Sequence, residues 1–96
     1  MTAKDLRASV AGEEPPAGLS APVEALWWDA KGERARAHEL VDDLETREGM
    51  AVHAYLHRRD GEEENAEYWY KRAGRWFYRE RVDDEWEALV EGLLRE

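Results

Sequence analysis

Residues 52–73 read VHAYLHRRDGEEENAEYWYKRA: one apolar run at helical spacing, a glycine at position 61, then a second such run. The same phrase is written twenty-nine residues earlier, where Gly32 matches Gly61, Ala37 matches Ala66 and Ala25 matches Ala54. The apolar pairs Val23/Val52, Trp27/Leu56, Leu40/Trp69, Val41/Tyr70 and Leu44/Ala73 keep that register. A period of this length, with glycine between two helical patterns, marks a helix-turn-helix unit that buries its apolar face by stacking on its neighbour. The predicted fold is therefore all-α: two stacked hairpins followed by a C-terminal capping helix.

Working outward, Ser20 and Pro22 start the first helix, whose stripe is Val23, Leu26, Trp27 and Ala30, and Gly32 ends it. Ala37, Leu40, Val41 and Leu44 form the stripe of the second helix, which stops before Gly49. The third runs from about Met50 to Arg59. The fourth carries Ala66, Trp69, Tyr70 and Ala73 and closes at Gly74. The two units thus span about residues 20–48 and 49–74. Asp83 or Asp84 can cap a fifth helix, about 83–95, with the stripe Trp86, Leu89, Val90, Leu93 and Leu94. Residues 1–18 contain Gly12, Pro15, Pro16 and Gly18 and no sustained apolar period. They read as a flexible tail, with room for a short helical turn near Ala3 to Val10.

Ninety-six residues, 43% hydrophobic and 39% charged, make a single domain with one core. Five tryptophans and four tyrosines offer more burial than a disordered chain carries. With no cysteine there is no disulfide, iron–sulfur cluster or thiolate zinc site. No stretch approaches the roughly 20 apolar residues that cross a bilayer, and the expected compartment is the cytoplasm. The net charge of −9 opposes binding to nucleic acid or to an anionic membrane, and neither partner is expected. One basic island, Lys71 to Arg81, encloses Trp76, Phe77 and Tyr78, which fit the role of pins between the fourth and fifth helices better than that of a base-stacking platform.

Gly61, Ala66, Tyr70 and Ala73 resemble the second half of a tetratricopeptide repeat, and Gly32, Ala37, Val41 and Leu44 follow the pattern less completely. The segment Ala66-Glu67-Tyr68-Trp69-Tyr70-Lys71-Arg72-Ala73 is similar to the Sel1-like variant. The resemblance covers about residues 20–74. The period is shorter than the 34 residues of a tetratricopeptide unit, and neither copy has the proline that often closes one. The words around Trp27 and Trp28, and around His53 and Leu56, also look like those of small uncharacterised bacterial proteins, a likeness that implies no activity.

The resemblance implies binding through a concave surface lined by the first helix of each hairpin. It places Leu26, Asp29 and Ala30 there from the first unit, and Tyr55, Arg58 and Arg59 from the second. Two arginines beside a tyrosine suit a carboxylate, so the expected partner is a protein or a short acidic peptide. Pairing of those arginines with Asp29 and Asp60 is the structural alternative. About three repeats are commonly needed for a stable stack, which makes a homo-oligomer a further expectation.

His53 and His57 stand four apart on one helix, the spacing at which two imidazoles share a metal ion, and Glu39, Glu67 or His38 is in reach as a third ligand. Family alignment turns both histidines toward the contact between helices. No phosphate loop or nucleophile–base pair occurs, and the carboxylates lie on solvated faces. The leading expectation is a non-enzymatic interaction or scaffold module without a cofactor. The rival is a metal-binding protein or enzyme using His53 and His57, and a third form is a purely structural homodimer.

Overall fold

The computed structural model describes residues 1–75 and 81–95, which form six helices and no strand. The all-α class is as expected. The helices are α1 (Ala3–Ser9), α2 (Ala21–Lys31), α3 (Arg34–Val41), α4 (Arg47–Arg59), α5 (Glu63–Arg72) and α6 (Val82–Leu94). Among the described residues no helix is long and apolar enough to cross a membrane.

Two helix pairs, α2/α3 and α4/α5, carry the same turn. Gly32 and Gly61 take φ values of +92° and +81°, the left-handed region that a side chain disfavours. The Gly32 amide donates to the carbonyl of Asp29 and the Glu33 amide to that of Trp28; Gly61 donates to Arg58 and Glu62 to His57. This closing pattern satisfies carbonyls that the helix end would otherwise leave unpaired. Glu33 and Glu62, the residues that start α3 and α5, have nearly equal backbone angles (φ −97°, ψ 75° and φ −94°, ψ 71°).

Two boundaries differ from the expectation. Helix α3 ends at Val41, leaving Leu44 outside it, because Asp42 and Asp43 place negative charge at the negative end of the helix. Helix α4 begins at Arg47, ahead of Met50, because the Thr46 hydroxyl accepts from the Gly49 amide at 3.1 Å and caps the first turn. Ser20 precedes α2 in extended conformation, but its side chain makes no capping bond. Arg81, not Asp83 or Asp84, precedes α6; the two aspartates and Glu85 occupy its first turn, where the helix dipole favours them.

The first half of the expected tail holds a helix, α1, at the place where a short helical turn near Ala3 to Val10 had room. Thr2 and Asp5 form a reciprocal capping box, and α1 buries Ala3 and Leu6 against the rest of the molecule. The Trp27 indole donates to the Ser9 hydroxyl at 3.0 Å, and Lys31 reaches the carbonyls of Val10 and Gly12. Two buried residues in seven are too few to register as a period, and their docking depends on α2 and α6.

Helix α4 is the axis of the fold: every residue from Gly49 to Leu56 is buried, and α2, α3, α5 and α6 all pack on it. The core joins Leu26, Trp27, Val41, Val52, Tyr55, Leu56, Trp86, Leu89 and Val90. Each such aliphatic or aromatic side chain contributes roughly 1.5–3 kcal/mol on burial. Trp86 is sealed by its indole N–H, which donates to the Leu26 carbonyl at 2.8 Å. Trp27 and Trp28 meet edge to face at 4.8 Å; Trp28 lies at the packing edge, with the Arg36 guanidinium 4.5 Å over its ring. The body is rounded, 33 × 25 × 24 Å, with a radius of gyration of 12.1 Å; this is close to the ~13 Å of a 100-residue globule. The basic island ends α5 with Lys71 and Arg72, while Trp76, Phe77, Tyr78 and Arg79 lie outside the described residues.

Candidate metal centre

Of the six residues expected to meet a partner, three are buried in the fold and Ala30, Arg58 and Arg59 are partly exposed. Leu26 and Tyr55 are fully buried and Asp29 is 4% exposed. The reason is α6, which packs on both α2 and α4 and fills the face that was to form the groove. The Arg58 guanidinium donates to Glu85 of α6 at 2.6 Å, and the Tyr70 hydroxyl donates to the other oxygen of that buried carboxylate. Arg59 lies 3.5 Å from both Asp29 and Asp83, and the Tyr55 hydroxyl donates to Asp29 at 2.9 Å. Burial raises the pKa of Asp29 despite the Tyr55 hydrogen bond and the Arg59 charge, and burial likewise raises the Tyr55 and Tyr70 phenols. Arg59 pairs with Asp29, as the structural alternative held, whereas Asp60 is taken by Arg34.

On the other side of α4 the three histidines of the chain converge. His53 and His57 share a face of α4 by their i, i+4 spacing, and His38 enters from the adjacent α3. The rings of His53 and His57 stack at 4.8 Å with 21° between planes, while His38 meets them obliquely at 6.0 and 5.3 Å. One nitrogen from each ring can be chosen so that all three lie within 4.8 Å of one another. Glu39 is exposed and Glu67 pairs with Lys71 at 3.3 Å, so of the three proposed companions only His38 joins the pair.

Carboxylates surround the cluster in an ordered way. His38 Nε2 lies 3.2 Å from Asp60, which is itself bound by Arg34, and His57 Nδ1 lies 3.1 Å from Glu62. Those contacts orient two rings and leave Nδ1 of His38 and Nε2 of His57 as the nitrogens available to an ion. A metal-bound imidazole is commonly held in this way, by a carboxylate on its other nitrogen. Asp42 is placed differently: its Oδ1 is 3.6 Å from His38 Nδ1 and 3.6 Å from His53 Nε2, too long for a hydrogen bond to either.

His53 is the buried member. The Trp69 ring stacks on it at 4.1 Å, and its Nδ1 is buried without a hydrogen-bond partner. Burial, then the neighbouring charge of His57, lowers its pKa to about 4 against the pull of Asp42. The imidazole is neutral at pH 7, with a free lone pair. Sequence reasoning had named the histidines but not Asp42, Asp60, Glu62 or the Trp69 stack. The i, i+4 relation of His38 to Asp42 was a readable signal. Glu85 was also missed, although it stands four residues before Leu89 on the buried stripe of α6.

Two described cavities lie away from the histidines: one of about 470 Å³ beside Lys4, Arg7 and Trp86, and one of about 180 Å³ among Arg47, Ala51 and Leu89. Comparison with protein-family models, with curated proteins and with solved structures finds no match for this chain.

Proposed function

We propose that this protein binds one divalent transition-metal ion, of the class that prefers imidazole, on His38, His53 and His57. The observation that carries the reading is the convergence of all three histidines, from two helices, with a carboxylate on one nitrogen of His38 and on one of His57. Imidazole donors suit zinc, copper, nickel and iron(II), and the absence of thiolate narrows the range no further. A tetrahedral ion with nitrogen donors at about 2.0–2.1 Å spaces them about 3.3 Å apart. The present separations of up to 4.8 Å therefore close by about 1.5 Å on loading. Side-chain rotation supplies that, since His38 and His57 are only partly buried.

Metal binding is favoured over the interaction module because Leu26, Asp29 and Tyr55 are buried within the fold, whereas the three histidines gather in one cluster. Calorimetric titration with zinc, with cobalt and nickel as comparators, is the direct test. The expected result is one ion per chain, bound more tightly than about 1 μM, or about −8.2 kcal/mol. Binding should be lost in His57→Gln and in His38→Ala, both on partly exposed positions that leave the core intact. Wild-type heats no greater than those of the two variants would refute the reading.

A further inference from the structure

We infer that Asp42 is the fourth donor of the histidine site, so that the loaded site is closed on four protein ligands and holds its ion without a free coordination position. The inference rests on the three-histidine reading and adds the class of site. Asp42 Oδ1 stands 3.6 Å from a nitrogen of each of two histidines, close to the about 3.3 Å that separates neighbouring donors around a tetrahedral ion.

Its role is distinct from that of the other two carboxylates. Asp60 and Glu62 hydrogen-bond one nitrogen each of His38 and His57 and so act as positioning residues. Asp42 faces Nδ1 of His38, the nitrogen that Asp60 leaves available, and Nε2 of His53, and it makes no hydrogen bond with either. A carboxylate oxygen equidistant from two imidazole nitrogens, beyond hydrogen-bond length from both, stands near the spacing of neighbouring donors on one ion. It caps the C-terminal end of α3 with its side chain half exposed, at the solvent side of the cluster. Desolvating it costs little there, and one carboxylate reduces a charge of +2 on three neutral imidazoles to +1. Water would take that position if Asp42 did not, and the site would then have the three-histidine form used for hydration and hydrolysis. With Asp42 bound it has the closed form of a structural or storage site.

Cobalt(II) substitution reads the difference. Wild-type protein loaded with cobalt should show intense tetrahedral visible bands that added azide does not move. In Asp42→Ala the bands should become azide-sensitive, and zinc affinity should fall by at least the roughly 10–100-fold that follows loss even of an orienting partner. Asp42→Asn, which keeps the shape and the helix cap, should weaken zinc in the same direction, with the circular dichroism of both variants unchanged. Azide-sensitive bands in the wild type, or unchanged zinc affinity in Asp42→Ala, would overturn the role of Asp42 while leaving the three-histidine site standing. Failure of the wild type to take up zinc or cobalt would overturn both.

Discussion

Arg58 joins α4 to α6 through a carboxylate that is entirely buried, so removing its guanidinium takes away the cation that faces Glu85 and leaves the Tyr70 hydroxyl donating to it. Breaking one partner of a buried pair typically costs about 3–5 kcal/mol. Arg58→Ala should lower the unfolding free energy from urea titration by that much, and Arg58→Ala combined with Glu85→Leu should recover a large part; a loss under about 1 kcal/mol would contradict the assignment. His53 gives a second measurement at this scale. Its folded pKa of about 4 lies below the ordinary 6.5, so between those values the unfolded chain binds a proton that the native protein does not. Stability therefore rises with pH across that window and is lost as pH falls through it, by on the order of 3 kcal/mol in full. Denaturation curves at pH 7 and 4.5 should separate for the wild type more than for His53→Gln, and parallel behaviour would contradict the shift. At this scale sequence reasoning found the histidine pair and both arginines. Their roles depend on what stands opposite, which spacing along one helix does not contain.

Among elements, the two helix pairs were the most legible part of the chain. Gly32 and Gly61 end their helices with the same left-handed backbone and the same pair of amide bonds. A Cβ added at either would meet nothing within 4 Å, so the whole cost of substitution is backbone strain. Gly32→Ala and Gly61→Ala should each lose about 1–2 kcal/mol, by nearly equal amounts. A loss at one position and none at the other would show that the shared geometry lacks shared energetics. Helix α1 was the least legible, because Leu6 gains its burial from α2 and α6 rather than from any period of its own. The clasp of two arginines and a tyrosine does grip carboxylates, namely Asp29, Asp83 and Glu85. Two of these belong to α6.

For the molecule as a whole, the proposed ion would tie α3 to α4, adding a link on the side opposite α6. An ion that binds only the folded chain stabilises it by about 2.7 kcal/mol at a free concentration one hundred times its Kd. The melting temperature should therefore rise with zinc in the wild type and stay flat in His57→Gln. A rise of equal size in both would place the effect elsewhere. The charge of −9 favours encounter with a cation, and zinc association should slow as salt is added.

Glycine positions and apolar spacing were sufficient for the helical class, the two turns and the stripes of α2 and α6, because these follow from contacts within a few residues. How the helices face one another was set by packing at long range. Docking of α6 turned an expected groove into core, and the approach of α3 to α4 brought His38 and Asp42 beside His53 and His57. A periodic pattern fixes the direction of a side chain around its own helix, but the neighbour in that direction depends on how the remaining apolar surfaces are jointly buried.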